Sequence, residues 1–345
     1  MPSAMLKNMP AHGGQVRQIM RYFPKAPQPF VDLSTGISPY AYPVDQAAIG
    51  DWTRLPEAEE EEALRRAAAQ AYGAASSDMI VAGPGTQMLI ALLPVILQAN
   101  RVTIFGPTYS GHEQSWRNAG ADVSIVTDCS SFENAADQPN QVCVLCNPNN
   151  PDGRYLSIAH LRKLSERCAK SGSHLIVDEA FADFEEENTV SLLPSPSLII
   201  LRSFGKSYGL PGIRLGFLVA SKKLADQMRT FMGDWAVSAP ALTVGYQALT
   251  NTTWITRIKK RLDDDRTRLN AALTSAGLPV YGSTRLFTFI HTEQASELWM
   301  FLCQKGIVTR VFPQRPVELR LGVPRNEEEW HRLERALSDW ASRPK

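Results

Sequence analysis

Short apolar runs recur through the first two thirds of the chain, separated by segments of helical spacing. The runs Met79–Ala82, Val102–Phe105, Val123–Val126, Val142–Cys146, Leu175–Val177 and Leu198–Leu201 predict strands. Glu57–Tyr72, rich in Glu, Ala, Leu and Arg, predicts a helix that stops at Gly73. Further helices are expected over Gln87–Gln98, Ser110–Asn118 and Ser157–Lys170. Apolar runs alternating with helices predict a mainly parallel sheet covered on both faces, an α/β architecture. From about Thr252 the pattern changes. Trp254–Ala276 predicts one long charged helix ending at Gly277. Strands near Leu286–Ile290 and Val317–Leu321 and a helix Glu327–Trp340 follow it. The expected organisation is an N-terminal arm over residues 1–40, a large domain over 41–250 and a smaller α+β domain over 251–345. The run Glu59–Glu62 reads as a solvated helix start, where carboxylates meet the positive end of the helix dipole.

Composition narrows the class. At about 150 residues per domain, 345 residues allow roughly two domains. A chain that is 44% hydrophobic and 21% charged is neither disordered nor fibrous. Thirty-six Lys+Arg against 35 Asp+Glu leave a formal charge of +1, which argues against a nucleic-acid surface or an acidic tail. The longest near-continuous apolar run, Met88–Leu97, contains a proline, and a bilayer span takes about 20 residues. The opening residues lack the apolar stretch of a secretory signal. A cytoplasmic protein with no membrane or nucleic-acid partner is expected. Five cysteines, an odd number, do not suggest a disulfide framework. Cys143 and Cys146 form a CxxC, but within a strand positions i and i+3 point to opposite faces. Zinc would need two more ligands at matching spacing, so these cysteines are read as small buried hydrophobes and no metal is expected.

The chemistry concentrates in Ser203-Phe-Gly-Lys206-Ser-Tyr-Gly-Leu-Pro-Gly-Ile-Arg214-Leu-Gly-Phe217. A lysine stands just beyond a hydrophobic strand, with a serine and glycines around it and an arginine eight residues on. An amine at a strand end near cationic groups has a depressed pKa and reacts better as a nucleophile. Gly83-Pro-Gly-Thr-Gln87 lies between a strand and a helix, where backbone N–H groups and a helix N-terminus cradle an anion. Asp178 ends the apolar strand His174-Leu-Ile-Val-Asp. Asn147-Pro-Asn-Asn-Pro-Asp-Gly153 reads as a turn after its strand.

Taken in order, these motifs resemble the fold-type I pyridoxal-phosphate enzymes, in particular their histidinol-phosphate aminotransferase-like branch, over nearly the whole chain. The resemblance implies pyridoxal 5'-phosphate as cofactor, held covalently by Lys206. It assigns Gly85, Thr86, Gln87, Ser203 and Arg214 to the cofactor phosphate. Asp178 would pair with the pyridine nitrogen, Asn150 would donate to the phenolic oxygen, and Tyr109 would stack on the ring. Arg320, in a strand of the small domain, matches the arginine that clamps a substrate α-carboxylate. The fold implied is a mainly parallel sheet in a large domain plus a smaller α+β domain. A homodimer is implied as well.

Two departures argue against a plain histidinol-phosphate aminotransferase. Those enzymes read Asp-Glu-Ala-Tyr where this chain has Asp178-Glu-Ala-Phe181, and a Tyr-Pro-Asp turn where it has Leu55-Pro-Glu57. The N-terminal His12-Gly-Gly14, with Arg17 after it and Asp32-Leu-Ser-Thr-Gly36-Ile-Ser-Pro39 beyond, resembles the threonine-phosphate decarboxylases of cobalamin biosynthesis. That resemblance implies decarboxylation of L-threonine O-3-phosphate to (R)-1-amino-2-propanol O-2-phosphate. His12, Arg17 and Gly36 would then serve a phosphorylated amino-acid substrate, with the arm joining the small domain. The alternative is an aminotransferase acting on histidinol phosphate or an aromatic amino acid. A non-catalytic regulatory module is disfavoured by intact Lys206 and Asp178 and by the absence of a basic N-terminal segment.

Overall fold

The structure, a computed structural model, describes residues 12–45 and 53–343. It separates into two compact units. One is Ala41–Ile255; the other joins the chain up to Tyr40 with the chain from Thr256 onward. After a helix Val16–Tyr22, strand β1 (Val31–Leu33) opens the regular structure of the latter unit.

The Ala41–Ile255 unit is built on β2 (Ile80–Gly83), β3 (Arg101–Phe105), β4 (Asp122–Val126), β5 (Gln141–Cys146), β6 (His174–Asp178), β7 (Leu198–Arg202) and β8 (Gly216–Ala220). Their order across the sheet is β2-β8-β7-β6-β5-β3-β4. Pairings from β4 through β7 are parallel, and β8 runs antiparallel to both β7 and β2. Every residue of β5 and β7 is buried, which accounts for their apolar runs Val142–Cys146 and Leu198–Leu201: a strand covered by helices on both faces has no polar side. Val144, Ile176 and Ile199 pack with Leu89, Leu93 and Trp116 in one core.

Local signals fix the helices between these strands. Ser157 caps Ile158–Ser171 by accepting from the His160 N–H, and Gly172 closes it in the left-handed conformation at φ 69°. Glu57 and Glu60 form a capping box at the start of Ala58–Tyr72. The acidic run is only partly a solvated start, because Glu62 also holds Arg65 and Ser77.

In the other unit β1 lies parallel to β11 (Ile307–Val311), and the sheet order is β1-β11-β12-β10-β9 with β9 at Val280–Ser283, β10 at Phe287–His291 and β12 at Glu318–Gly322. Helices Thr252–Ser275, Ala295–Gln304 and Glu327–Ala341 accompany it. Trp299 and Trp330 are buried in its core with Ile290 and Leu321. Several elements lie outside the sequence-based expectation: β1, β8, β9 and β11, and helices Val16–Tyr22, Cys129–Ala136, Lys222–Met232 and Ala239–Thr250. Among the described residues no helix is long and apolar enough to cross a membrane.

Candidate active site

One edge of the seven-stranded sheet gathers most of the candidate residues. Asp178 is the last residue of β6, and Ser203 and Lys206 follow β7. Asn147 and Asn150 follow β5, while Tyr109 follows β3. Because these strands are parallel, their C-terminal ends share an edge. Gly85, Thr86 and Gln87 leave the C-terminal end of β2, and Arg214 precedes β8, which pairs Gly216 with Gly83. Ligands in α/β sheets bind at this edge.

At the anion end, Gly85 is the N-cap of helix Thr86–Leu97 with φ +82°, a conformation that favours glycine. A Cβ there would stand 2.5 Å from Arg214 Nη2, and one at Gly216 would stand 2.6 Å from the Thr86 nitrogen. The two glycines therefore let an arginine and a helix N-terminus close on the same small space. Ser203 caps the turn Phe204–Ser207 without a side-chain bond to it. Tyr109, half-buried, donates to Gln87 Oε1 at 2.7 Å.

Asp178 is buried and sits 2.9 Å from His112 Nε2, which is fully buried. Burial alone would raise its pKa. The hydrogen bond and charge of His112, the charge of Lys206 and the Ala180 N–H outweigh burial and hold the carboxyl below its ordinary range. Lys206 Nζ lies 4.8 Å from the centre of the Phe181 ring. Cys146, His112 and Asp178 place three ligand-type atoms within 4.8 Å of one another. Burial and the Asp178 charge push the Cys146 thiol up, and the His112–Asp178 hydrogen bond links two of the three groups.

Behind the lysine turn, buried Arg202 binds buried Glu179 at 2.8 Å and the half-buried Asp183 at 3.1 Å. Arg202 also donates to Asn188 Oδ1 at 2.7 Å. Cys143, by contrast with the CxxC spacing, has its sulfur contact with Cys168.

The second unit brings two arginines together. Arg310 of β11 and Arg320 of β12 stand directly opposite each other in register. Burial and the Arg310 charge bring Arg320 down to about 9, and burial and Arg315 lower Arg310. Arg320 Nη2 donates to the Ser34 carbonyl at 3.1 Å. The Gly14 N–H donates to Ser34 Oγ at 2.8 Å, and a Cβ on Gly13 would overlap the Ser34 carbonyl. The His-Gly-Gly segment is thus seated on the residue that Arg320 holds. His12 lies within electrostatic reach of Arg310 and lines a small cavity with it and Thr309. Gly36 is buried in the segment after β1. Arg17, however, is exposed on helix Val16–Tyr22, whose buried residue is Ile19.

Residues 29–337 match the profile of the family described as aminotransferase class I and II. The chain belongs to that family. Two relatives within the class I and II aminotransferases are threonine-phosphate decarboxylases. The one from Sinorhizobium sp is 37% identical, covering 95% of this chain and 97% of its own. The one from Pseudomonas aeruginosa is 35% identical, covering 94% and 96%. A histidinol-phosphate aminotransferase from Sinorhizobium meliloti, solved in complex with pyridoxal-5'-phosphate, superposes with a TM-score of 0.81 at 18% identity, covering 98% of this chain and 96% of its own, and shares the fold.

Class I and II aminotransferases use pyridoxal 5'-phosphate, and the residues present fit it. The cradle that a Cβ at Gly85 or Gly216 would fill, lined by Arg214 and the Thr86 N–H, would suit a phosphate. The anionic, buried Asp178 suits a protonated ring nitrogen. His112 and Arg310 escaped the sequence reading although signals existed. His112 follows Tyr109 by three residues, one helical turn. Arg310, within Ile307-Val-Thr-Arg-Val311, is an arginine among strand formers, the signal that singled out Arg320.

Proposed function

We propose that the chain is a threonine-phosphate decarboxylase that converts L-threonine O-3-phosphate to CO2 and (R)-1-amino-2-propanol O-2-phosphate, the aminopropanol unit of the corrin side chain. It works as a homodimer in the cytoplasm, and the two compact units are its large and small domains. The observation that carries this reading is the direct pairing of Arg310 with Arg320. Like charges opposite each other destabilise a sheet, and a buried guanidinium with a lowered pKa gains from an anionic ligand. A substrate with both a carboxylate and a phosphate supplies two anions for two arginines. The two threonine-phosphate decarboxylases at 35% and 37% identity support the same reading.

Bound pyridoxal phosphate supplies an electron sink for the pair left at Cα. The remaining work falls to the chain. The Thr86 N–H, Ser203 and Arg214 would hold the cofactor phosphate, and Tyr109, fixed by Gln87, would pack against its ring. Asp178, kept anionic by His112, holds a proton on the ring nitrogen. Lys206 Nζ would be the attachment point and the acid that delivers a proton to Cα. Arg320 grips the α-carboxylate and Arg310, with His12, the phosphate. Orientation would decide the outcome: with the carboxylate positioned for cleavage by Arg320 the product would be CO2, whereas a positioned Cα–H would give transamination. Phe181 and Leu55 stand where the resembling aminotransferases carry tyrosines, which favours the decarboxylase.

Substrate charge tests the assignment. Arg310→Gln is expected to raise KM for L-threonine O-3-phosphate about 10- to 100-fold, the worth of one charge-assisted hydrogen-bonding contact. Weak activity on unphosphorylated L-threonine should stay unchanged. Equal losses on both substrates would reject the phosphate assignment.

A further inference from the structure

The ladder between β3 and β5 ends at Ile104 and Val144. Beyond it the two segments run on separately, one to Tyr109 and the other to Asn150. The backbone carbonyls of Phe105 and Gly106 lie past this ladder and still require donors. Arg154 supplies them. Its Nη2 donates to the Phe105 carbonyl at 3.2 Å, its Nη1 to the Gly106 carbonyl at 3.3 Å, and its guanidinium lies 3.6 Å from the Phe105 ring centre. Phe105 is itself stacked on Phe132 with centroids 5.1 Å apart.

The other end of Arg154 is fixed in the turn after β5. Its N–H donates to Asp152 Oδ1 at 3.0 Å, and its carbonyl accepts from the Asn149 N–H at 2.8 Å. Asn149, fully buried, completes the tie: its Nδ2 donates to the Pro107 carbonyl at 3.0 Å and to Asp152 Oδ1 at 2.7 Å, and its Oδ1 accepts from the Thr108 hydroxyl at 2.6 Å. Thr108 and Asn149 are the immediate neighbours of Tyr109 and Asn150.

We infer that Arg154 is a positioning residue that clamps the exit of β3 to the turn after β5 and so sets the spacing between Tyr109 and Asn150. A lysine cannot replace it fully, since the clamp uses a planar fork that stacks and donates to two carbonyls at once. The inference rests on the proposed function and on the role that the resemblance implies for Asn150, as donor to the cofactor's phenolic oxygen. A hydrogen bond donated to that oxygen favours its ionised form, so loosening Asn150 raises the pH at which the bound cofactor titrates.

The test uses holoenzyme reconstituted with pyridoxal phosphate and reads the pH midpoint of the bound cofactor's visible absorption. Asn150→Ala is the reference and is expected to raise the midpoint by about half a unit to one unit. Arg154→Met is expected to raise it by part of that amount. The Arg154→Met, Asn150→Ala double variant should go no further than Asn150→Ala alone. If Arg154→Met does not fold, Arg154→Lys takes its place, with a smaller shift in the same direction. An Arg154 variant that lowers Tm but leaves the midpoint in place, or a double variant whose shift is the sum of the two singles, overturns the clamp while sparing the assignment of Asn150. A midpoint unmoved in Asn150→Ala overturns that assignment and the clamp together.

Discussion

A carboxyl group buried as deeply as Asp178 would take up a proton at neutral pH unless something held the charge in place. His112, 2.9 Å away, is the strongest such influence. His112→Phe fills the space without donating. It is expected to lower kcat about 10- to 100-fold with little change in KM, as the loss of a hydrogen bond to a charged group implies. Stability should change with pH in a defined direction. In the wild type the folded carboxyl titrates below its unfolded value of about 3.9, so it contributes stability above that pH and loses it as pH falls through the lower folded pKa. Without His112 burial wins and the folded pKa rises. The stability gap between the two proteins therefore opens as pH rises through the carboxylate range. Urea unfolding at about pH 4.5 and about pH 7.5 measures it, and an equal gap at both would contradict the account. Asp178 was legible as the polar end of an apolar strand. Its partner was not, because the contact spans 66 residues of chain.

The strand-end turns carry the site, and their function is steric as much as chemical. Gly85 combines φ +82° with an arginine where its side chain would be. Gly85→Ala is expected to strain the backbone by about 1–2 kcal/mol and to raise the dissociation constant for pyridoxal phosphate at least tenfold, read by fluorescence titration. Binding as tight as wild type would mean that the turn does not hold the phosphate. At the next strand end, buried Arg202 is ionically bound to the buried Glu179 and to Asp183. Arg202→Met leaves Glu179 and Asp183 without their counter-charge and should cost about 3–5 kcal/mol in urea unfolding. A loss below about 1 kcal/mol would argue against the triad. Elements of this kind were readable to different degrees. β5, β6 and β7 announced themselves as apolar runs because both faces are covered, whereas β8 follows so closely on the lysine loop that its Gly216-Phe-Leu-Val-Ala220 run was absorbed into the motif.

At the scale of the whole molecule, the change of pattern near Thr252 falls close to the division between the two compact units after Ile255, but the partners of the N-terminal arm were hidden. β1 pairs with β11, more than 270 residues away, and three residues of strand give no periodicity to read. That pairing seats the His-Gly-Gly segment on Ser34 beside Arg320 and joins the two ends of the chain in one sheet. Under the proposed function the arginines of β11 and β12 would select the substrate, and the central claim is that the protein removes CO2 from a phosphorylated amino acid. The most direct test is to incubate the protein, reconstituted with pyridoxal phosphate, with L-threonine O-3-phosphate and no keto acid, and to follow CO2 and the phosphorus NMR spectrum. The account predicts one CO2 for each aminopropanol phosphate formed, and no turnover in Lys206→Ala. Absence of CO2, with glutamate-dependent bleaching of the bound cofactor instead, would contradict it and make the protein an aminotransferase.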